Sequence, residues 1–394
     1  MTSNQGSVPE LHRALVVRDV NVEPKVETIP APQVLPGTAV LRVLSAPILS
    51  YMNDLFIGNK RGYEYPLPIV PGTSAVCRVA SLGPDATSLK VGQLVLFDCY
   101  IRARDAQGDG PKNFLSAITG GFSEASQKLM RDGGVRDGAF AEYVRVPLEN
   151  VFVLDEQRLL GSPEQGGLGL GVHDVGDIYK LLVPFGGLTS VGLKPGETVL
   201  VSPATGPFGG AACLVALAMG ARVLAWGRDE QELQNIEGKL QNINSGRFRG
   251  MIKTVKMHNE PIKDTEAIRL AAGGRPIDAY FDISPPQATG STHFKTGILS
   301  LKHSGRVSMM GSLTDDAAVP YTFIMINDIT LRGKWMYDRH DIFSLINMVE
   351  LGLLKLGGDG GCSTPGIFGL EEWKKGWDLA EVKNSLGEKV IISP

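Results

Sequence analysis

The sequence predicts an α/β chain in two parts, a doubly wound parallel-sheet domain preceded by a β-rich one. Three observations carry this. Residues 193–229 read as strand, tight glycine turn, helix and second strand, which is the repeating unit of a parallel sheet. The first 150 residues hold short alternating or apolar runs separated by proline- and glycine-rich joins, as in a sheet built of short strands. A chain of 394 residues with 43% hydrophobic content is long enough to bury two cores.

The strand–turn–helix stretch is the most informative. Thr198 to Ser202 (TVLVS) is a β-branched apolar run suited to burial on both faces. Ala204, Thr205, Gly206, Pro207, Phe208 and Gly209 then match a dinucleotide-binding turn with alanine in the first glycine place. Gly206 would let the backbone approach a pyrophosphate, and Gly209 would let the helix pack close on the strand. The helix, expected over Gly209–Met219 and ended by Gly220, is apolar nearly all round and so belongs in a core. Its unpaired N–H groups and dipole favour an anion at its start. The second strand, Ala221 to Trp226, ends at Gly227-Arg228, where an NAD-binding turn would place an acid against the ribose hydroxyls. An arginine without that acid suits a 2′-phosphate, so NADP(H) is the expected cofactor. The same string would also serve an ordinary crossover with a surface arginine.

Composition excludes several classes. With 39 basic and 42 acidic residues the formal charge is −3, and no basic run or aromatic–basic ladder occurs, which argues against a nucleic-acid partner. The four cysteines, Cys77, Cys99, Cys213 and Cys362, have no zinc-finger spacing and read as reduced thiols, three of them in the core. The N-terminus lacks the order of a secretory signal and no apolar run would span a bilayer, so a cytoplasmic protein without membrane contact is expected.

In chain order, residues 1–10 are polar; strands are expected at His12–Val17, Thr38–Leu44 and Ala75–Ala80, with an entry turn and strand in LKVGQLVLF (residues 89–97). Phe114–Met130 carries apolar spacing compatible with a helix, and Val175–Val183 with another, followed by a loop over Pro184–Thr189. Helices are expected at Asp229–Leu240, Ser291–Leu301 and Asp341–Leu353, and strands at Ile277–Ile283, Arg306–Met310 and Lys389–Ile392.

Taken together, LPIVPGTSAVCRVASLGPDATSLKVGQLV, GAFAEYVRVP (residues 138–147), the turn at Lys194–Gly210, IDAYFDI (277–283) and GRVSMMG (305–311) resemble the medium-chain dehydrogenase/reductase superfamily over nearly the whole chain. The resemblance implies a GroES-like catalytic domain (1–172), a Rossmann NADP(H)-binding domain (173–337) and a C-terminal segment (338–394) returning to the first. It also implies that Gly311 borders the cofactor, and offers the Arg306–Met310 strand as a sheet edge on which a homodimer pairs. Arg247 and Arg249, in Ser245–Arg249, read first as solvated surface and second as partners for the adenosine phosphate.

The zinc alcohol dehydrogenases of this superfamily carry a four-cysteine lobe in the region of Asp98–Asp137, where this chain offers only Cys99. Their catalytic cysteine and histidine fall at Leu49 and Thr73, neither of which can ligate zinc. His173 and Asp174 lie near the third ligand but make no site alone. A zinc-independent member is therefore expected, with no metal ligands assigned. The segment facing the nicotinamide in relatives holds Tyr51, Asp54, Lys60, Tyr63 and Thr73, with Tyr65 nearby, and a tyrosine or lysine there would donate to an oxyanion. Aromatic packing with a satisfied hydroxyl is the other reading of each tyrosine. Between Gly166 and Lys194 relatives place a threonine on the nicotinamide side, for which Thr189 and a backbone group near Asp177 are the alternatives.

Without a Lewis acid, the expected reaction is NADPH-dependent reduction of an activated C=C bond in a small enone, quinone or enoyl substrate. The alternatives are a zinc-independent alcohol or carbonyl dehydrogenase, and a non-catalytic nucleotide-binding relative.

Overall fold

The strands of the N-terminal part follow the alternation in the sequence. Leu11–Val16 (β1) and Lys25–Pro30 (β2) pair antiparallel. Thr38–Pro47 (β3), Ala75–Leu82 (β4) and Leu94–Phe97 (β5) follow, then Tyr100–Arg102 (β6), Asn113–Leu115 (β7), Tyr143–Pro147 (β8) and Val151–Val153 (β9). β3, ten residues long, pairs with both β4 and β8, and its Ala39, Val40 and Leu41 are fully buried. This computed structural model describes residues 8–394 except 109, 111, 244, 245 and 384.

The second part is a six-stranded, wholly parallel sheet. Its strands are Thr198–Ser202 (β10), Arg222–Gly227 (β11), Ile252–Lys256 (β12), Ala279–Asp282 (β13), Arg306–Met309 (β14) and Thr330–Gly333 (β15), in the order β12-β11-β10-β13-β14-β15. All five residues of β10 are buried, as expected of a central strand covered on both faces. The strand order reverses between β10 and β13, so a crevice opens beyond their carboxyl ends, where ligands bind in sheets of this kind. The chain then returns to the first sheet with Ser363–Phe368 (β16) and Glu388–Ile392 (β17). β17 lies antiparallel to β3, completing a seven-stranded sheet in the order β16-β17-β3-β4-β5-β9 with β8 on β3.

The chain divides into two compact units, one of residues 1–179, 363–384 and 388–394, the other of 180–362 and 385–387. The divisions thus lie at 179/180 and 362/363, where the sequence reading put them at 172/173 and 337/338. The later return has a local cause. The helix expected over Asp341–Leu353 spans Arg339–Glu350 and belongs to the second unit, where Ile342, Leu345, Ile346 and Val349 are buried and Asp341 accepts from the Thr189 hydroxyl at 2.9 Å.

Several expectations for single elements are corrected. The segment 184–189 is not a loop: a helix runs from Ile178 to Ser190 through Pro184. Gly186 and Gly187 were read as loop residues but serve close packing, since a Cβ on Gly186 would lie 2.5 Å from the Tyr337 Cβ and one on Gly187 2.2 Å from the Met310 Sδ. Phe114–Met130 is not one helix; Phe114 sits in β7, paired with β6, and the helix covers only Glu124–Asp132, capped by Ser123. β14 is not a sheet edge, because β15 pairs with it on the outer side. The Ser291–Leu301 helix shortens to His293–Leu299. Residues 1–7 and Ser245 lie outside the described residues. Cys77, Cys99 and Cys213 are buried, Cys362 is half-buried, and among the described residues none of the four is in a disulfide. Among the described residues no helix is long and apolar enough to cross a membrane.

Candidate functional site

In the second unit, β10 leads directly into the predicted turn. The helix begins at Pro207, two residues earlier than expected, and runs to Ala218. Proline suits the first helical position because it has no N–H to leave unpaired. Gly206 is the cap residue and provides no side chain to occupy the helix start. A Cβ on Gly206 would meet nothing within 4 Å, so the space over the turn is open. A Cβ on Gly209 would lie 2.0 Å from the Pro203 carbonyl oxygen, so that glycine is required for the helix to close on the strand. Ala204 is fully buried and donates its N–H to the Trp226 carbonyl at 2.9 Å, tying the turn to β11.

The tip of β11 bears on the choice of dinucleotide. Gly227 is buried, and a Cβ there would press on Thr205 Cγ2 at 3.0 Å. Arg228 is exposed and forms no ion pair among the described residues. The adjacent acid, Asp229, caps the following helix, Glu230–Asn242, accepting from the Glu232 N–H at 3.0 Å. Its carboxylate is therefore committed to the helix, while the arginine is free. Lys256, at the end of β12, pairs with Glu230 at 2.8 Å.

Gly311 lies where β13 and β14 end. A Cβ there would come within 2.8 Å of Asp282 Oδ2 and of the Ser284 N–H nitrogen, so only glycine allows this approach. Beneath it is a buried polar cluster that sequence reasoning missed. Ser284 donates to Asp282 at 2.5 Å, and its hydroxyl lies 2.6 Å from His293 Nε2, with all three side chains buried. Their separation of two and eleven residues carries no motif. The open turn, the uncapped helix start and the close glycine fit a dinucleotide, with Gly206, Gly209, Gly311 and Arg228 as the residues that would hold it. Thr189 is otherwise engaged, its hydroxyl lying 2.9 Å from the Phe185 carbonyl, 3.1 Å from the Gly186 carbonyl and 2.9 Å from Asp341 as alternative acceptors.

In the first unit, the predicted polar segment follows β3. Tyr51 precedes the short helix Met52–Phe56 without a side-chain capping bond, and the Arg61 guanidinium lies 4.1 Å above the centre of its ring. Burial pushes the Tyr51 hydroxyl well above its ordinary pKa, with Tyr63 and Cys99 adding and Arg61 opposing. It is a neutral donor at pH 7. Tyr63 is held by Asn59, whose side chain takes its N–H at 3.1 Å and donates to its carbonyl at 2.9 Å. Asp54 and Lys60 form an exposed ion pair at 3.5 Å, so those two predicted residues meet each other at the surface. Tyr65 follows the packing alternative: its hydroxyl donates to the Leu55 carbonyl at 2.6 Å and its ring sits 5.3 Å from Phe56.

Thr73 is buried and its hydroxyl has no partner among the described residues. Beside it Ser74 accepts from the Cys99 N–H at 3.2 Å, and Ser116, whose own hydroxyl is also unpartnered, donates its N–H to the Cys99 carbonyl at 2.9 Å. Burial, then Asp98, raises the Cys99 thiol to about 12, so it stays protonated. Two further buried groups went unread in the sequence. Tyr179 is raised well above its ordinary range by burial, with Tyr51, Cys99 and Asp177 nearby. Lys389, on β17, reaches Asp177 at 2.5 Å and Asp174 at 3.6 Å. His173 faces Ser45 at 3.0 Å.

Leu49 and Thr73, which the resemblance sets at the places of the relatives' zinc ligands, carry no thiolate, imidazole or carboxylate. Among the described residues no three histidine, cysteine, aspartate or glutamate side chains converge as a metal site.

Two family descriptions match the chain, Alcohol dehydrogenase GroES-like domain over residues 36–156 and Zinc-binding dehydrogenase over 207–350. An L-threonine 3-dehydrogenase from Shigella sonnei is 25% identical over 332 residues, covering 83% of each chain. Among solved structures, an alcohol dehydrogenase from Thermus sp. ATN1 aligns with a TM-score of 0.73 at 23% identity, covering 97% of this chain and 99% of that one. A short chain alcohol dehydrogenase from E. coli CFT073, complexed with cofactor NADH, aligns with a TM-score of 0.73 at 15% identity over 98% of this chain and all of that one. With the parallel sheet, its glycine turn and the seven-stranded partner sheet already described, these matches place the chain in the medium-chain dehydrogenase/reductase superfamily, as an oxidoreductase with an alcohol-dehydrogenase-like fold.

Proposed function

We propose that the protein is a zinc-independent, NADPH-dependent reductase of an activated C=C bond in a small enone, quinone or enoyl substrate. What supports this is residue chemistry: Leu49 and Thr73, which the resemblance sets at the relatives' ligand positions, offer no metal ligand, and Tyr51 is a neutral donor under a guanidinium. A neutral hydroxyl suits a forming enolate, which needs hydrogen bonds, better than an alkoxide, which needs a cation. When bound, the dinucleotide supplies the hydride. Tyr51 is the first oxyanion donor, with Tyr63 and Thr73 as further polar groups and the Asp54–Lys60 pair flanking them. Cofactor choice rests on Arg228, which is free where Asp229 is committed to its helix. The free edge strand for a homodimer is β15, which is largely exposed.

The test is position of label. Deuterium from labelled NADPH is expected on the β-carbon of a conjugated acceptor, with solvent hydrogen on the α-carbon. Tyr51→Phe is expected to lower turnover on the order of 10²-fold with NADPH affinity unchanged. The relatives' names favour a second reading, an alcohol or carbonyl dehydrogenase. Label on a carbonyl carbon would replace the first reading by that one, and absence of any NADPH-dependent turnover would leave a non-catalytic relative.

A further inference from the structure

We infer that Arg61 is an anion-recognition residue of the substrate site, and that the substrate is a conjugated acceptor bearing a carboxylate. This rests on the reading above for where substrate binds and names its class more narrowly. Arg61 stacks on Tyr51 with its guanidinium 4.1 Å from the ring centre, and its Nε is buried without a hydrogen-bond partner. The Nε–H and the adjacent Nη–H form the edge that takes a carboxylate in a two-point, charge-assisted pair. Stacking fixes the plane of that edge, so little ordering remains to be done on binding. A buried N–H with no acceptor is costly, and a ligand oxygen would remove the cost.

Carboxylates close to Arg61 in the chain, and those next to Cys99 and Tyr179, have other partners. Asp54 pairs with Lys60, Glu64 accepts from Gln127, Asp98 accepts from Tyr100 N–H and Asn150, and Asp177 pairs with Lys389. Among the described residues Arg61 forms no ion pair. The Tyr51 ring on which it stacks has neutral neighbours, the Tyr179 hydroxyl and a protonated Cys99, and the Tyr51 hydroxyl itself keeps its proton. One guanidinium among neutral donors balances a single negative charge. A phosphate dianion would need a second cation, whereas a carboxylate is matched. A carboxylate on Arg61 would leave the Tyr51 hydroxyl for the acceptor's carbonyl oxygen, so an oxo-enoate engages both residues.

Two measurements test this on the full-length protein. In the first, kcat/KM is compared for trans-4-oxopent-2-enoate and its methyl ester. Wild type is expected to favour the acid by about 100-fold, Arg61→Met to lose that preference, and Arg61→Lys to keep about a tenth of it, having charge without the two-point edge. In the second, calorimetry follows binding of the saturated acid 4-oxopentanoate and its methyl ester to the NADP⁺-loaded protein, with no turnover required. Acid binding is expected to weaken at least about tenfold in Arg61→Met while ester binding is unchanged. Equal use of acid and ester by wild type overturns the anion assignment and leaves the reductase reading standing. Arg61-dependent binding of the acid without reduction of either compound overturns the reductase reading and supports the anion assignment. Should Arg61→Met not fold, Arg61→Lys and the wild-type acid-to-ester ratio decide the matter.

Discussion

Gly206→Ala and Gly209→Ala each add one methyl group to the same turn, and the structure predicts opposite consequences. At Gly206 the backbone has φ −77° and ψ 165°, a region alanine adopts freely, and the new Cβ meets nothing within 4 Å. Stability should be unchanged or rise by about 0.4–1 kcal/mol through the unfolded chain. The methyl would stand in the open space before the helix start, so a diphosphate there would lose close contact with an N–H. Losing one charge-assisted hydrogen bond costs about 1.5–3 kcal/mol, roughly 10- to 150-fold in Kd. At Gly209 the Cβ would fall 2.0 Å from the Pro203 carbonyl oxygen and 3.0 Å from the Ala204 Cα, both main-chain atoms that cannot turn aside. Overpacking of this kind costs about 1–3 kcal/mol or more. Urea unfolding followed by tryptophan fluorescence, paired with titration of NADPH by its own emission, reads both quantities. Gly206→Ala should keep its urea midpoint and bind NADPH weakly; Gly209→Ala should unfold at lower urea. Native affinity in Gly206→Ala would refute the placement of the diphosphate, and an unchanged midpoint in Gly209→Ala would refute the close helix–strand contact.

Arg228→Ala should weaken NADPH binding about tenfold while leaving NADH binding unchanged; equal losses for both would remove the 2′-phosphate assignment. Elemental analysis of purified protein should find no stoichiometric zinc, and chelator treatment should alter neither the urea midpoint nor turnover; about one zinc per chain would overturn the reading of Leu49 and Thr73. His12 accepts from the Tyr143 N–H at 3.3 Å, and burial holds its pKa below 6.5, with Glu142 pulling the other way. The fold therefore favours the neutral ring, and this contribution is full above about pH 6.5 and is lost as pH falls below it, where the unfolded ring takes up a proton that the folded one refuses. Urea midpoints should drop from pH 7 to pH 5, and His12→Gln should flatten the slope; an equal slope in the variant would refute the role.

The cofactor half was the more legible in the sequence, because its information is local. Thr198–Gly209 places strand, turn and helix within a dozen residues, and Gly209 is required by a contact only six residues away. The catalytic half is legible as residue types but not as pairings. Tyr51, Tyr63 and Thr73 stand out by position, yet nothing in the string says that Asp54 meets Lys60 or that Tyr65 bonds to Leu55. Arg61 was passed over because a lone arginine in a polar loop has no signature; only the stacking on Tyr51 distinguishes it. Lys389 and Asp177 are 212 residues apart, and such a pair is visible only after folding. Proline at 184 and the glycines after it suggested a loop because local propensity favours one there, and the packing of Gly186 on Tyr337 and Gly187 on Met310 prevails over it.

The return of the chain to its first sheet has a consequence for synthesis. β17 completes the β3 edge, and Ser393 donates to the Leu44 carbonyl across 349 residues of intervening chain. At roughly 5–20 residues per second, on the order of tens of seconds separate the appearance of these partners on the ribosome. Residues 180–362 can finish folding within that interval, while the nascent first sheet waits with an open edge and Asp177 has not yet met Lys389. An unpaired strand edge is a template for other chains. The time for which that edge waits bears on yield in a cell, and slowing translation after residue 180 should lower it.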